Sequence, residues 1–300
     1  MYQGGYYHGL KWYAKDPYLA ECHLTDNFIK ANSTDKKSDS VVNEDHIDYT
    51  RLNIIAKKIH SSAINLTHHK IDELKKKKQL MTDKSELRDN TIETKLWEDN
   101  LRKLSGNWRI VLIKSKVPNA FVSELVPRKI FINTAVIHEM NASDDEVALL
   151  LGHELSHLLL DHGENKHNLE EVLAVAAIVL MSFIDPTGWF ALVFDSFLFT
   201  CITAVKAGFS RHEETEADHL GVLLASMSCY NPVNGALLMK KFSEFEKDKI
   251  SYSFLTSWSS THPSSISRYE DLRTLGARYE SENRSHCASL KSVWGSLFKR

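Results

Sequence analysis

Gly152-His153-Glu154-Leu155-Ser156-His157 decides how the rest of this 300-residue chain is read. It has the pattern His-Glu-x-x-His inside an apolar run, with Val147 to Leu151 before it and Leu158 to Leu160 after it. The run has the length and composition of a buried helix. On a helix, positions i and i+4 lie one turn apart on the same face, so His153 and His157 can point two imidazoles at one metal ion. Glu154 lies about 100° round from His153 and still flanks that point, near enough to take a proton from an attacking water. Two histidine ligands and an adjacent carboxylate are the working parts of a zinc hydrolase. The plainer alternative is a pair of ordinary core histidines. It sits badly with the surroundings, because ionisable groups in a Leu-rich helix are costly unless paired or ligated.

Upstream, Ser143 followed three residues on by Glu146 fits a capping box that opens this helix. The helix is expected to run to about Asp161 or His162, with Gly163 closing it. Before it lie three short apolar runs, 108–113, 117–122 and 129–134, the second broken by Pro118. They predict a small antiparallel sheet beside the metal helix. The edge of such a sheet either takes an extended peptide by main-chain hydrogen bonds or is purely structural. From His46 to Trp108 the pattern is helical, with Tyr49, Leu52, Ile55, Ala56 and Ile59 at spacings of three and four. The run Lys75 to Lys78 reads as a solvated helix face, with contact to anionic lipid as the alternative. Residues 1–45 are polar and irregular, and Asn32 to Asp39 reads as a loop. The chain therefore divides into a flexible N-terminal segment (1–45), a helical extension (46–106) and a main domain (107–300).

Downstream, Val172 to Ile184 is free of charge, Asp185-Pro186-Thr187-Gly188 interrupts, and Trp189 to Val205 is apolar apart from Asp195. Neither half reaches the roughly 20 residues of a spanning helix. Region 172–205 is either a re-entrant hairpin associated with a membrane or two buried helices. Next comes Ser210-Arg211-His212-Glu213-Glu214-Thr215-Glu216-Ala217-Asp218, leading into an apolar run that places it on a second helix. A site with two histidines from one helix takes a third His, Glu or Asp from elsewhere. Glu214 can be that ligand while Asp218, one turn on, accepts a hydrogen bond from the far nitrogen of a ligand histidine. Arg211 can share that face and neutralise the excess negative charge. Glu216 lies on the opposite side and reads as solvated or salt-bridged. Glu213, His212 and His219 are rival ligands by chemistry.

A net charge of −2 argues against a nucleic-acid binder. No Walker loop is present, so no nucleotide is expected. The four cysteines are scattered without a Cys-x-x-Cys pair, which points to neither a disulfide framework nor a Cys-based zinc site and favours a reducing compartment. Met1 to Leu10 has neither a signal-peptide core nor a clear mitochondrial presequence.

His-Glu-x-x-His followed by Ser-Arg-x-x-Glu-x-Glu-Ala-Asp-x-x-Gly (210–221) resembles the M48 zinc metallopeptidases, and among them a mitochondrial branch. Asn119-Ala120-Phe121, and Thr261-His262-Pro263 with Arg268 after it, extend the likeness over roughly 107–277. The resemblance implies an α+β, mainly helical, zincin-like metallopeptidase fold with the small antiparallel sheet beside the metal helix. It implies one Zn2+ held by His153, His157 and Glu214, with Glu154 as general base and then acid. It further implies Asp218 as the partner of a ligand histidine, and Asn119, Ala120 and Phe121 lining the substrate strand. His262 would stabilise the oxyanion or occupy the open zinc position at rest; as an alternative it merely caps the turn before Pro263. The implied substrates are membrane or misfolded proteins, in processing and quality control, at the mitochondrial inner membrane. Two departures stand out. No apolar span precedes residue 108, and Ser123 to Arg128 replaces a Gly-containing turn. The rival expectation is a non-catalytic, membrane-associated module whose zinc is closed by a fourth protein ligand such as His262 or His212. A metal-dependent hydrolase of non-peptide esters is a third.

Overall fold

The metal helix is fixed at both ends by side chains. In the computed structural model, which describes residues 17–34, 40–123, 126–184, 191–248, 262 and 266–297, this helix spans Asp144–Leu159. Ser143 accepts from the Glu146 N–H while the Glu146 carboxylate accepts from the Ser143 N–H, so the expected capping box is formed. The buried Glu146 carboxylate is also met by Lys241 at 2.7 Å. At the other end the helix stops earlier than the sequence indicates. Asp161 adopts a φ of 55°, Asn100 donates to the Leu159 carbonyl at 2.7 Å, and Lys103 pairs with Asp161. Gly163 does not close the helix; it lies inside the next one.

In chain order the elements are α1 (Pro17–Asn32), α2 (Ile47–Leu80), α3 (Lys84–Leu104), β1 (Arg109–Ile113), β2 (Ala120–Val122), β3 (Lys129–Asn133), α4 (Ala135–His138), α5 (Asp144–Leu159, the metal helix), α6 (His162–Ile184), α7 (Ala191–Met227), α8 (Pro232–Gly235), α9 (Leu237–Asp248) and α10 (Ile266–Leu297). Residues 17–32, part of the expected flexible leader, are thus helical, while 35–39 of the expected loop lie outside the described residues.

The sheet is mixed rather than antiparallel. Its order is β1-β3-β2, with β1 parallel to β3 and β2 antiparallel to it. The loop between β1 and β2 explains this. Asn133 donates to the Val117 carbonyl at 2.9 Å and Ser115 N–H to Thr134 Oγ1 at 3.0 Å, which ties the loop to the end of β3. β3 therefore fills the gap between the first two strands. The outer edge of β1 is covered by residues 40–42, with Val42 N–H bonded to the Leu112 carbonyl at 2.8 Å and Lys114 N–H to the Ser40 carbonyl at 2.9 Å. Alternation sends Ile110, Leu112, Ala120, Ile130 and Ile132 into the main core with α2, α5, α7, α9 and α10. Phe121, Phe131 and Ile113 turn to the other face, where Leu24 and Phe28 of α1 cover them.

Cys229 and Cys287 form a disulfide between the end of α7 and α10. This corrects the expectation drawn from cysteine spacing. The two thiols are 58 residues apart in sequence and meet only because these helices pack together. Such bonds persist in oxidising compartments, against the reducing default. Among the described residues no helix is long and apolar enough to cross a membrane.

Candidate metal centre

Two glycines set the geometry. A Cβ on Gly152 of α5 would lie 2.8 Å from the Gly221 carbonyl oxygen, and one on Gly221 of α7 would lie 2.8 Å from the His153 nitrogen. The helices therefore touch backbone to backbone, which only glycine permits at this separation. From that point they run antiparallel, so each turn forward along α5 meets a turn backward along α7. His153 meets Asp218, with Nδ1 to Oδ1 at 3.0 Å. One turn on, His157 meets Glu214, with Nε2 to Oε1 at 3.4 Å.

His153, His157, Glu214 and His262 bring one ligand atom each within 4.8 Å of one another. His153 Nε2 is 3.1 Å from His157 Nε2, 3.5 Å from Glu214 Oε2 and 3.4 Å from His262 Nδ1. An ion about 2.0–2.1 Å from four tetrahedral donors would set edges of about 3.3 Å, so these spacings fit a metal. The tautomers agree. His153 Nδ1 faces Asp218 and His157 Nδ1 faces His162 at 2.8 Å, so both Nε2 lone pairs point at the shared centre. Two lone pairs so close repel unless a cation lies between them.

Electrostatics follow from burial. His153, Glu154, Glu214 and Asp218 are all buried. Burial lowers the His153 pKa, helped by the charge of His157 and opposed by Asp218. For Glu214, burial pushes the carboxyl up, but hydrogen bonds from His157 and His262 and the histidine charges outweigh it and hold it well below the usual range. Asp218 behaves alike, with His153 and Arg268 pulling it down against burial. Burial would lower His262, yet Glu154 and Glu214 raise it.

Arg211 is not part of this set; it is exposed. Three residues before Glu214, it sits where the ligand face of α7 has already turned to solvent. Arg268 of α10 takes the place expected for it. Its Nε and Nη2 donate to the two Asp218 oxygens at 2.8 and 2.7 Å, and its Nη1 lies 3.0 Å from Glu214. Among the rival ligands, His212 and His219 are exposed, and Glu213 is buried outside the metal group. Glu216 is half-exposed and paired with His212 and His162.

The expected substrate strand is split by the pleat. Ala120 lies in the core shared with α5. Asn119 donates to the Asn32 side chain at 3.1 Å, and Phe121 stacks on Phe131 at 4.7 Å, so both serve the α1 face. Glu154 lies beside the centre, 3.7 Å from His262 Nε2.

The profile described as Peptidase family M48 matches residues 88–275. Mitochondrial metalloendopeptidase OMA1 of Saccharomyces cerevisiae (strain ATCC 204508 / S288c) is 28% identical over 199 residues, covering 64% of this chain and 54% of that protein. Metalloendopeptidase OMA1, mitochondrial, of Bos taurus is 29% identical over 179 residues, covering 56% of this chain and 32% of that protein. The Homo sapiens protein of the same name is 28% identical over 177 residues, with the same two shares, 56% and 32%. The chain spans at most about half the length of these curated relatives.

Proposed function

Because the chain belongs to peptidase family M48, we propose that it is a zinc-dependent metalloendopeptidase that hydrolyses peptide bonds in extended protein segments. One observation carries this: the imidazoles of His153, His157 and His262 and the Glu214 carboxylate converge on one point, with a second carboxylate, Glu154, beside it. Nitrogen and oxygen donors in a four-cornered set suit zinc. Bound there, zinc supplies Lewis acidity toward the water and the scissile carbonyl.

His153, His157 and Glu214 are the ligands. Glu154 takes the proton of the attacking water and returns it to the leaving amine. Asp218 holds His153 by its far nitrogen, and Arg268 holds both Asp218 and Glu214. The peptide pairs with the outer edge of β2, where no described strand lies. The bond from Asn133 N–H to the Asn119 carbonyl sets the alternation of that strand, so Ala120 and Val122 turn their main-chain groups to that edge. Substrate is therefore held by backbone, with Asn119 and Phe121 shaping the strand from behind.

The substrates are membrane or misfolded proteins, and the site of action is the mitochondrial inner membrane. The mitochondrial part is supported by the names of the relatives as mitochondrial metalloendopeptidases; the substrate class and the inner membrane follow the family resemblance alone. Membrane association runs through 172–205, whose Val172, Val175 and Ile178 are exposed on α6. Neither nucleic acid nor nucleotide takes part.

His262 favours a second reading. Its Nδ1 stands in the fourth position, 2.7 Å from Glu214. Either it closes the centre at rest and leaves for water and substrate, or it completes a structural zinc in a non-catalytic, membrane-associated module. Zinc-loaded wild type and Glu154→Gln are to be compared on an unfolded protein substrate, alongside His262→Ala. The peptidase reading expects cleavage by wild type, none by Glu154→Gln, and retained zinc in His262→Ala. Loss of zinc in His262→Ala with no cleavage by any form would instead establish the structural site.

A further inference from the structure

His162 is buried, although the chain has already left α5 when it is reached. On a continuous helix a residue five places after His157 would sit about 140° away. The break at Leu160 and Asp161 changes this. Asp161 turns the chain with its positive φ, and His162 comes back against His157 with the two Nδ1 atoms 2.8 Å apart. Its other nitrogen faces Glu216 at 3.4 Å.

We propose that His162 is the positioning residue of the ligand His157, doing with an imidazole what Asp218 does for His153 with a carboxylate. This rests on the metal-centre reading above. Proton bookkeeping allows one arrangement. His157 offers its Nε2 lone pair to the centre, so its Nδ1 carries the hydrogen and donates it to His162 Nδ1. His162 must then be protonated on Nε2, which lies 3.4 Å from Glu216 without forming a hydrogen bond to it. The hydrogen-bonded chain therefore runs from His157 to His162, with the half-exposed Glu216 carboxylate of α7 only nearby. It holds the ring of His157 at its far nitrogen, so that Nε2 would be set for a metal ion. The two ligand histidines thus have partners of different kinds, Asp218 charged and His162 neutral, so His157 is the less basic donor of the two.

The test is zinc affinity, read by chelator competition, in wild type, His162→Leu, His162→Asn and Glu216→Ala, with the melting of each zinc-free form as the folding control. Loss of the partner should weaken zinc by about 10- to 100-fold in His162→Leu. Asparagine places an oxygen near the Nδ1 position and should restore most of that loss, which repacking alone would not do. Glu216→Ala removes no hydrogen bond and should leave zinc affinity close to that of the wild type. A folded His162→Leu with wild-type affinity overturns the proposal, as does an Asn variant as weak as the Leu variant. Should His162→Leu not fold, His162→Ala is read in its place, and wild-type affinity there overturns the proposal. If the wild type binds no zinc, the metal-centre reading itself falls and this proposal with it.

Discussion

Helices α5 and α6 follow each other with only Leu160 and Asp161 between them, and both are rich in Leu, Val and Ala. Their fates differ. Thirteen of the sixteen residues of α5 are buried. On α6, Val172, Val175 and Ile178 are 65%, 61% and 70% exposed, and Val179 and Leu180 about half. α5 is enclosed by α2, α7, α8 and β2, whereas α6 packs chiefly on α5 and α7. Apolar composition therefore has two uses here. In α5 it makes a dry wall that strengthens every interaction of the four polar groups it surrounds. In α6 it forms an exposed patch, the mark of a surface meant for something else.

The comparison breaks most severely at α5. Glu154→Gln removes the only proton carrier proposed there and keeps the volume. Cleavage should fall by at least about 10²- to 10⁴-fold while metal analysis finds zinc still bound. Activity within tenfold of wild type would refute the assignment. Next in size is Arg268→Met, which leaves Glu214 and Asp218 buried without their guanidinium. Removing one partner of a buried ionic set costs about 3–5 kcal/mol, so urea unfolding should show the loss. A change below about 1 kcal/mol would mean the pair is effectively solvated. Gly221→Ala drives a methyl into the backbone of α5. It should destabilise the fold by about 1–3 kcal/mol and weaken zinc with it, since the same contact sets the spacing of the ligands.

Acid gives a subtler probe of the zinc-free protein. Burial, with the charge of His157, lowers the His162 pKa to about 4. Between that value and about 6.5 the unfolded chain holds a proton that the folded one does not, so stability rises with pH across this window. The buried, lowered His153 adds to the same slope. His262 is raised, so its contribution is complete below about 6.5 and lost as pH climbs through its folded value. Chelated protein should thus melt highest near about pH 6.5, where the rising and falling contributions meet. His162→Asn should flatten the acid limb; an unchanged limb would place the titration elsewhere. The exposed stripe of α6 carries no titrating group and should leave this profile alone.

The contrast also measures what the residues reveal on their own. The pairing of His153 with His157 was legible because helical spacing is local: i and i+4 share a face whatever surrounds them, whereas Glu214, on another helix, was separated from its rivals only by the family resemblance. The capping box of Ser143 and Glu146 was legible for the same reason. Arg211 was misplaced because its distance from Glu214 along the chain says nothing of where α7 leaves its neighbour. Arg268 lies fifty residues from Asp218, so its role is a fact of packing. His162 was hidden by a single positive φ at Asp161, a position that favours Gly or Asn and gives no other warning. The sheet went astray at one order of strands, since runs 108–113, 117–122 and 129–134 fit a meander as well as the observed insertion of β3. The disulfide needed α7 and α10 side by side before spacing could mean anything.

The smallest expected effect on the fold is the one that sharpens the α6 side. Val175→Glu with Ile178→Glu puts two charges on side chains that already face outward. Exposed substitutions away from special features shift stability by within about 0.5 kcal/mol, so the melting curve should hardly move. Binding to a bilayer is another matter. Each Val or Ile side chain that leaves water contributes about 1.5–3 kcal/mol, and a glutamate at that depth reverses the sign. Flotation with vesicles of phosphatidylcholine and an anionic lipid should therefore recover the wild type and lose the double variant. If the variant instead unfolds several degrees earlier, the stripe is covered by the protein's own chain, and α6 is a core helix like α5. If both proteins ignore the vesicles while melting alike, the patch serves a protein partner, and the membrane reading of 172–205 falls. Only the first outcome would give the difference in burial a membrane meaning, with α5 dry because the protein closes round it and α6 dry only once lipid does.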